Sequence, residues 1–267
     1  MKKLLSISLL FILCLASMPS FGYEHSDFET IKQLRKCNKK IDRNPENARL
    51  YIQRGYLNFM VGNYEDALSD YENAKRLEPE NPDIYYSIGR MEYILKNYDS
   101  SLENYTKAIH IKPKDAKSYV GRGLVKETCG NLDGAIEDYN KAIKADKKYA
   151  QAYVNRGVVK DKQQKYEEAL ADYTKAIKVD KYASDAYYNR GLTLCKLKRY
   201  EEAISDYTAA IDLDGFYELA YLHRGLTYFS LKQYEKSRLD LIKALDINPK
   251  NDTAREKLIE LQDYVVE

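Results

Sequence analysis

Two pairs of adjacent acids, Glu167-Glu168 and Glu201-Glu202, are the first residues whose types suggest chemistry. Paired carboxylates can act as general acid and general base in a hydrolase. Both pairs, however, directly follow a short polar break, and they occupy equivalent places in two similar stretches of sequence. Acids at such a place favour the positive N-terminus of a following helix. We therefore assign these pairs a structural role.

Histidine and cysteine offer no metal or nucleophilic site. His25, His110 and His223 are scattered along the chain without the spacing of metal ligands. The chain has no phosphate loop, nucleophile elbow or zinc motif. Beyond the N-terminal segment three cysteines remain, in separate helix pairs and too far apart for a disulfide in a rigid stack: Cys37, Cys129 and Cys195. We predict that the protein is not an enzyme and binds no cofactor or metal.

The elements that position these residues are repeated helix pairs. Within 150–181, apolar residues recur at helical spacing on both sides of the polar break at 162–165. Glycine returns with a 34-residue period in the first helix, and alanine does so in the second. The two series are Gly55, Gly89, Gly123, Gly157, Gly191 and Gly225, and Ala74, Ala108, Ala142, Ala176, Ala210 and Ala244. Six copies in unbroken phase predict a stack of helical hairpins.

The repeated glycine has a physical reason, because glycine inside a helix is destabilising by about 0.5–1 kcal/mol relative to alanine. Six such positions indicate a close approach by the second helix of each pair. Small residues are expected on the other side of this contact, at Ala67, Ser101, Ala135, Ala169, Ala203 and Ser237. Tyrosines fill the space between neighbouring helices, at Tyr51, Tyr85, Tyr119, Tyr153, Tyr187 and Tyr221.

This pattern resembles the tetratricopeptide repeat family over Ala48 to Asn251. The resemblance implies an all-α fold, a right-handed α-solenoid of six helix–turn–helix tetratricopeptide units with a capping helix at both ends. The predicted units are 48–81, 82–115, 116–149, 150–183, 184–217 and 218–251, between a leading helix or half-repeat at 23–47 and a closing helix at 252–267. Nothing in the family pattern is catalytic.

The segment 1–22 has the layout of a secretory signal peptide, with Lys2 and Lys3 before an apolar run and small residues after it. An uncleaved membrane anchor is the alternative. Export predicts a periplasmic or secreted protein, of bacterial type, with no membrane span after cleavage. The charge balance, 43 basic against 41 acidic residues, disfavours nucleic acid as a partner.

A second series pairs arginine with aspartate. Arginine precedes the glycine in five units, aspartate precedes the aromatic position of the second helix in the same five, and in the remaining unit both change, to Ile88 and Asn104. Because an arginine fork can meet a carboxylate with two bonds, we predict structural ion pairs within each hairpin. The pairs are Arg54–Asp70, Arg122–Asp138, Arg156–Asp172, Arg190–Asp206 and Arg224–Asp240.

The resemblance implies a protein-interaction scaffold, with first helices lining a groove that receives a peptide or a partner helix. Amides can bond an extended backbone in both directions, and aromatic rings add apolar contact. The candidate groove residues are Phe59, Tyr86, Asn155, Tyr188, Asn189, His223 and Phe229. The alternative function is an envelope or secretion assembly factor, acting as a complex subunit or by self-association. The partner's identity and the oligomeric state stay open.

Overall fold

The structure, a computed structural model, describes residues 23–264, with side chains described from residue 29 onward. The segment 1–22, interpreted above as a signal peptide, lies outside the described residues. Within the described part every regular element is a helix, and the predicted all-α fold of helix–turn–helix units is confirmed. None of these helices is long and apolar enough to span a bilayer.

Fourteen helices follow one another in the described residues. They are α1 (Tyr23–Arg43), α2 (Ala48–Met60), α3 (Tyr64–Leu77), α4 (Pro82–Ile94), α5 (Tyr98–Ile111), α6 (Ala116–Thr128), α7 (Leu132–Ala145), α8 (Ala150–Lys162), α9 (Tyr166–Val179), α10 (Ser184–Lys196), α11 (Tyr200–Leu213), α12 (Glu218–Ser230), α13 (Tyr234–Ile247) and α14 (Asp252–Leu261). Each even-numbered helix from α2 to α12 pairs with the helix that follows it, so the described chain contains six hairpins.

The chain divides into two compact units, Met1–Lys147 and Lys148–Glu267. The described part of the first unit contains α1 and three hairpins, and its core includes Cys37, Tyr71 and Ile88. The second unit contains three hairpins and α14. Its cores are centred on Tyr207 and on Leu241. Inside each unit the second helix of a hairpin also packs against the first helix of the next.

The turn inside each hairpin depends on one residue with left-handed backbone. This residue recurs with the period of the repeat, and it is glycine in two hairpins, at Gly62 (φ 81°) and Gly130 (φ 83°). In the other four the residue has a side chain, namely Lys96, Gln164, Lys198 and Lys232. Since a positive φ is unfavourable for residues other than glycine, the helix packing on both sides must hold these four turns.

The repeated glycines lie where the two helices of a hairpin approach most closely. A Cβ atom added to Gly157 would lie 2.7 Å from Cε1 of Tyr173, a ring that is fully buried. The same ring position meets the glycine in the other hairpins, except that Leu241 faces Gly225 in the sixth. The aromatic ring therefore fits against the glycine, which has no side chain, and this contact sets the distance between the two helices.

The predicted arginine and aspartate residues meet in the same five hairpins. In the fifth, Nη2 of Arg190 lies 2.7 Å from Oδ1 of Asp206, and Nε lies 2.8 Å from Oδ2. The five aspartates are buried. This bond raises the pKa of the Arg190 guanidinium. Each fork therefore makes two charge-assisted bonds, which fix the register of the two helices.

Some of these arginines also bond to the preceding hairpin. Nη1 of Arg190 donates to Oγ1 of Thr174 at 3.0 Å, and Nη1 of Arg224 donates to Oγ1 of Thr208 at 2.8 Å. Arg122 reaches Thr106 in the same way. One guanidinium thus links two helices of its own hairpin and the hairpin before it.

Replacing Gly157 with alanine is expected to destabilise the protein by about 1–3 kcal/mol, because the new methyl group overlaps the buried Tyr173 ring. Gly215→Ala is the matched control, since nothing lies within 4 Å of a Cβ added there. Urea unfolding of both variants measures the free energy of unfolding. Equal midpoints for the two variants would show that the hairpin tolerates a wider helix separation.

Asp206→Leu is expected to lower the free energy of unfolding by about 3–5 kcal/mol, because it leaves the Arg190 guanidinium partly buried without its carboxylate. The double variant Arg190→Leu, Asp206→Leu should recover most of this loss, since it removes both charges. Urea unfolding of the wild type, both single variants and the double variant gives the coupling energy. Additive effects would contradict the pairing.

Candidate functional site

The first helices of the first unit, α2, α4 and α6, place equivalent residues side by side. Nζ of Lys117 on α6 lies 2.5 Å from Oδ1 of Asp83 on α4, one repeat earlier. The hydroxyl groups of Tyr93 and Thr128 lie 3.1 Å apart across the same two helices. Residues separated by one repeat are therefore neighbours, and they form a continuous surface that we name the first-helix face of the first unit.

This face contains a cleft of about 210 Å³. Its lining residues are Tyr56, Phe59, Tyr71, Asp83, Tyr86, Ser87, Arg90, Met91 and Lys117. The ring of Tyr56 is 54% exposed, whereas Phe59, Tyr71 and Met91 are buried and form the floor. Burial raises the pKa of the Tyr71 hydroxyl to about 12. The cleft thus combines an apolar floor with an open aromatic edge.

Two cations lie over aromatic rings in this cleft. The guanidinium carbon of Arg90 is 4.1 Å from the centre of the Phe59 ring, and Nζ of Lys117 is 4.7 Å from that of Tyr86. Such contacts hold a cation in place without neutralising its charge. Lys117 already bonds to Asp83, but no carboxylate of the described residues pairs with Arg90. Arg90 is therefore the cation that is available to an incoming acid.

The two predicted groove residues of the first unit both lie in this cleft. Tyr86 is half-buried, and its ring centre lies 5.7 Å from that of Tyr105. Phe59 is only 6% exposed because Arg90 covers it. Phe59 consequently supports Arg90 from below, and the expectation that its ring forms an accessible patch is wrong.

In the second unit the predicted aromatic contact Tyr188 is buried, at 2% exposed. Its ring packs against Tyr207, Tyr217 and His223, with centres 6.1, 4.9 and 5.9 Å away. The expectation of an accessible Tyr188 is therefore wrong, because side chains of the next hairpin close over it. Phe229 is half-buried between Tyr264, 5.8 Å away, and Nζ of Lys257, 4.2 Å from its ring centre.

The two predicted amides of the second unit differ in their bonding. Nδ2 of Asn189 donates to the carbonyl oxygen of Asp185 at 2.7 Å, one turn earlier in its own helix. Asn155 is buried, and its Oδ1 accepts from Nε2 of Gln151 at 2.7 Å. Its Nδ2 is buried without a partner. Because the Nδ2 group of Asn155 is buried, this amide cannot donate to a peptide backbone, contrary to the prediction from the sequence. Asn189 is half-buried, and one of its N–H groups is already engaged within its own helix.

His223, the last predicted groove residue, stacks on Tyr207 with ring centres 6.3 Å apart. Burial lowers the pKa of its imidazole to about 4. The neutral ring is therefore part of the packing around Tyr188. Among the described residues, no group of three or more histidine, cysteine and acidic side chains has the arrangement of a metal site. The three described cysteines are all free thiols, and Cys129 is the exposed one.

Sequence reasoning did not assign Tyr56, Arg90 and Lys117 to the site. Tyr56 and Arg90 each follow a repeated glycine directly, and Arg90 is the one arginine among the six residues at this position. The position itself could have identified both residues, because it lies one residue after the glycine, on the side of the helix away from the second helix of the hairpin. Lys117 lies one repeat after Asp83, at the equivalent position. Because residues one repeat apart are neighbours and these two carry opposite charges, the sequence predicts their contact.

Comparison with protein families gives matches to repeat models over most of the hairpin region. Two models described as "Tetratricopeptide repeat" match residues 150–182 and 184–217, and 82–115 and 219–251. A third, described as "TPR repeat", matches residues 61–91 and 128–164. Among curated protein sequences no relative matches.

Several solved structures share the fold. A tetratricopeptide repeat protein from Parabacteroides merdae is 18% identical, with a TM-score of 0.69 over 90% of this chain and 96% of that one. The Cut9–Hcn1 hetero-tetramer of the APC/C gives a TM-score of 0.74 at 20% identity, over 87% of this chain. The chain spans 46% of that relative. YrrB, described as a TPR protein with an unusual peptide-binding site, is 23% identical with a TM-score of 0.53, over 70% and 96% of the two chains.

Acid is expected to destabilise the second unit through His223. Its pKa is lowered to about 4 in the folded protein. An unfolded imidazole has its ordinary pKa of about 6.5, so below this pH the unfolded state binds the extra proton. The neutral His223 ring therefore contributes fully to the free energy of unfolding above pH 6.5. This contribution falls by about 3 kcal/mol as the pH is lowered to 4.

Urea unfolding between pH 7 and pH 4 tests this expectation. The stability of His223→Leu should depend less on pH than that of the wild type over this range. His110→Leu is the matched control, since it removes an exposed histidine that lies outside the second unit. A wild-type slope that survives in His223→Leu would assign the acid sensitivity to other groups.

Proposed function

Because the chain belongs to the tetratricopeptide repeat family, we propose that it is a non-enzymatic protein-interaction scaffold whose first-helix face binds a peptide or a partner helix. The observation that carries this proposal is the cleft around Tyr56, Phe59 and Arg90. It is the described surface where an exposed aromatic ring, an apolar floor and an unpaired cation meet. Tetratricopeptide repeat folds are typical of protein-interaction scaffolds.

The chemistry of the cleft favours one kind of ligand. An apolar side chain would pack against the exposed Tyr56 ring. An acidic side chain or a C-terminal carboxylate nearby would bond to the Arg90 guanidinium, whose fork suits a carboxylate. The ligand we propose is therefore a segment with an apolar anchor next to an acid. Aromatic and arginine residues at the centre of an interface contribute most of its binding energy.

The relative YrrB is described as having a peptide-binding site. At 23% identity this likeness concerns the fold, and the assignment of a peptide ligand to the present chain rests on the cleft. We further propose that the protein acts outside the cytoplasm, in the periplasm or after secretion. The support is the sequence of residues 1–22, with two lysines, an apolar run and small residues.

A second candidate function is that of a subunit in a larger envelope or secretion assembly. Two exposed aromatic residues of the second unit favour it, Tyr182 at 67% and Phe216 at 56% exposed. They lie one repeat apart, at equivalent turns between hairpins. These rings offer a contact surface that is separate from the cleft of the first unit.

The cleft is tested with peptides selected from a random displayed library on the immobilised protein. Binding of the purified peptides is then measured by titration calorimetry. We expect selected peptides to pair an apolar residue with an acid, and Tyr56→Ala and Arg90→Gln each to weaken binding by about tenfold or more. Tyr182→Ala is the matched control, because it removes another exposed tyrosine, in the second unit.

Peptides that bind wild type and Tyr56→Ala equally would contradict the assignment to the cleft. Loss of binding in Tyr182→Ala alone would move the ligand to the second unit and favour the second candidate function. Circular dichroism of each variant verifies that the helices are intact.

A further inference from the structure

The first described helix, α1, is the second helix of a hairpin that has no first helix in the described chain. Cys37 stands one repeat before Tyr71, which is the aromatic residue that faces glycine in the first hairpin. Nη1 of Arg54 donates to Oδ1 of Asn38 at 2.9 Å, as Arg122 donates to Thr106 and Arg224 to Thr208, each 16 residues earlier. In register and in contacts, α1 behaves as a second helix.

The last helix, α14, is the first helix of a hairpin whose second helix is absent from the described residues. It begins after Asn251, whose Oδ1 accepts from the backbone N–H of Ala254, and it packs on α13. Ile259 stands one repeat after Gly225, at the position where the other first helices carry glycine. With no second helix over it, Ile259 is 61% exposed.

The two incomplete hairpins carry opposite charge, although the whole chain is nearly neutral. Helix α1, from residue 23 to residue 43, contains six basic residues and four acids. They are Lys32, Arg35, Lys36, Lys39, Lys40 and Arg43, against Glu24, Asp27, Glu29 and Asp42. From residue 252 to residue 264, four acids stand against two basic residues: Asp252, Glu256, Glu260 and Asp263 against Arg255 and Lys257.

Each helix also exposes one isoleucine among charged side chains. Ile31 is 45% exposed and, with four of the basic residues of α1, borders a shallow hollow of about 340 Å³. Ile259 is exposed beside Glu256 and Glu260 on α14, and the exposed Asp263 follows the end of that helix. An apolar residue within an acidic surface thus corresponds to an apolar residue within a basic one.

We propose that copies of this protein associate head to tail, with α14 of one copy packing against α1 of a second copy. The two incomplete hairpins would then form one hairpin between copies. Cys37 is already buried against α2, where its thiol bonds to the carbonyl oxygen of Leu50. The exposed Ile259 would therefore lie against Ile31 and the basic side chains beside it on α1.

Charge favours this pairing. Lys32 and Lys36 are exposed on α1, whereas Glu256 is exposed on α14 and Asp263 is exposed just after it. Leu258 also stands where the complete hairpins carry arginine, which removes a cation that would repel Lys36.

This contact uses a different surface on each copy. Such heterologous interfaces produce rings or open filaments, because every added copy leaves one α1 and one α14 free. The proposal goes beyond the peptide-binding function and does not rest on it, since the cleft around Tyr56 takes no part. Dissociation by salt is expected because the two surfaces attract each other by charge.

The test is analytical ultracentrifugation of the processed full chain from about 1 µM to about 1 mM, which spans the affinities of weak interfaces. We expect the mean mass of wild type to rise with concentration and to fall between about 0.1 M and about 1 M salt. Ile259→Gln should weaken association about tenfold or more. Leu239→Gln is the matched control, since Leu239 is 60% exposed on α13 and lies outside the proposed contact.

A mixing experiment distinguishes this arrangement from a symmetric dimer. Lys32→Glu with Lys36→Glu blocks α1, whereas Ile259→Gln blocks α14, and all three residues are exposed. Each variant alone is expected to be monomeric, and an equimolar mixture should form complexes of two copies and no larger ones. Wild type that stays monomeric throughout, a mixture that stays monomeric, or a dimer of the α1-blocked variant alone would overturn the proposal.

Discussion

The close approach of two helices at one glycine is the contact on which the structure depends. A glycine inside a helix is unfavourable by itself, and the chain accepts it six times because the facing side chain fills the space that a Cβ would occupy. The distance between the two helices at this glycine brings each arginine of the ion pairs within reach of its aspartate. It also holds the left-handed residue of the turn in place. Each hairpin is thus one packing solution repeated along the chain.

The period of the repeat predicts the fold well because every repeated residue has a local reason. Glycine requires a close neighbour, arginine requires a carboxylate, and the second helix must start after a turn, so spacing alone identifies the hairpins. The joint change of Ile88 and Asn104 was informative for the same reason. A charge and its partner are replaced together when they touch. The period of the repeat does not indicate which part of the surface is accessible to a ligand.

Tyr86 and Tyr188 show why the site was harder to predict. They occupy the same position in their repeats, yet Tyr86 is half-buried and Tyr188 is buried. The difference lies one hairpin further on. His223 covers Tyr188, whereas the residue equivalent to His223 after Tyr86 is Gly121, which has no side chain. Accessibility is therefore set by residues that vary between repeats, and a pattern read from the repeated residues does not include them.

The hairpin that carries Ile88 in place of arginine has a consequence for the stiffness of the first unit. Elsewhere the arginine fork ties its hairpin to the preceding one, as Arg190 does with Thr174. At Ile88 this tie is absent, and the fully buried side chain packs in the core instead. The junction between the first and second hairpins therefore lacks the directional bond that Arg54 and Arg122 make at the other junctions of the first unit. The cleft of Tyr56 and Arg90 spans this junction, so its width depends on side-chain packing rather than on that bond.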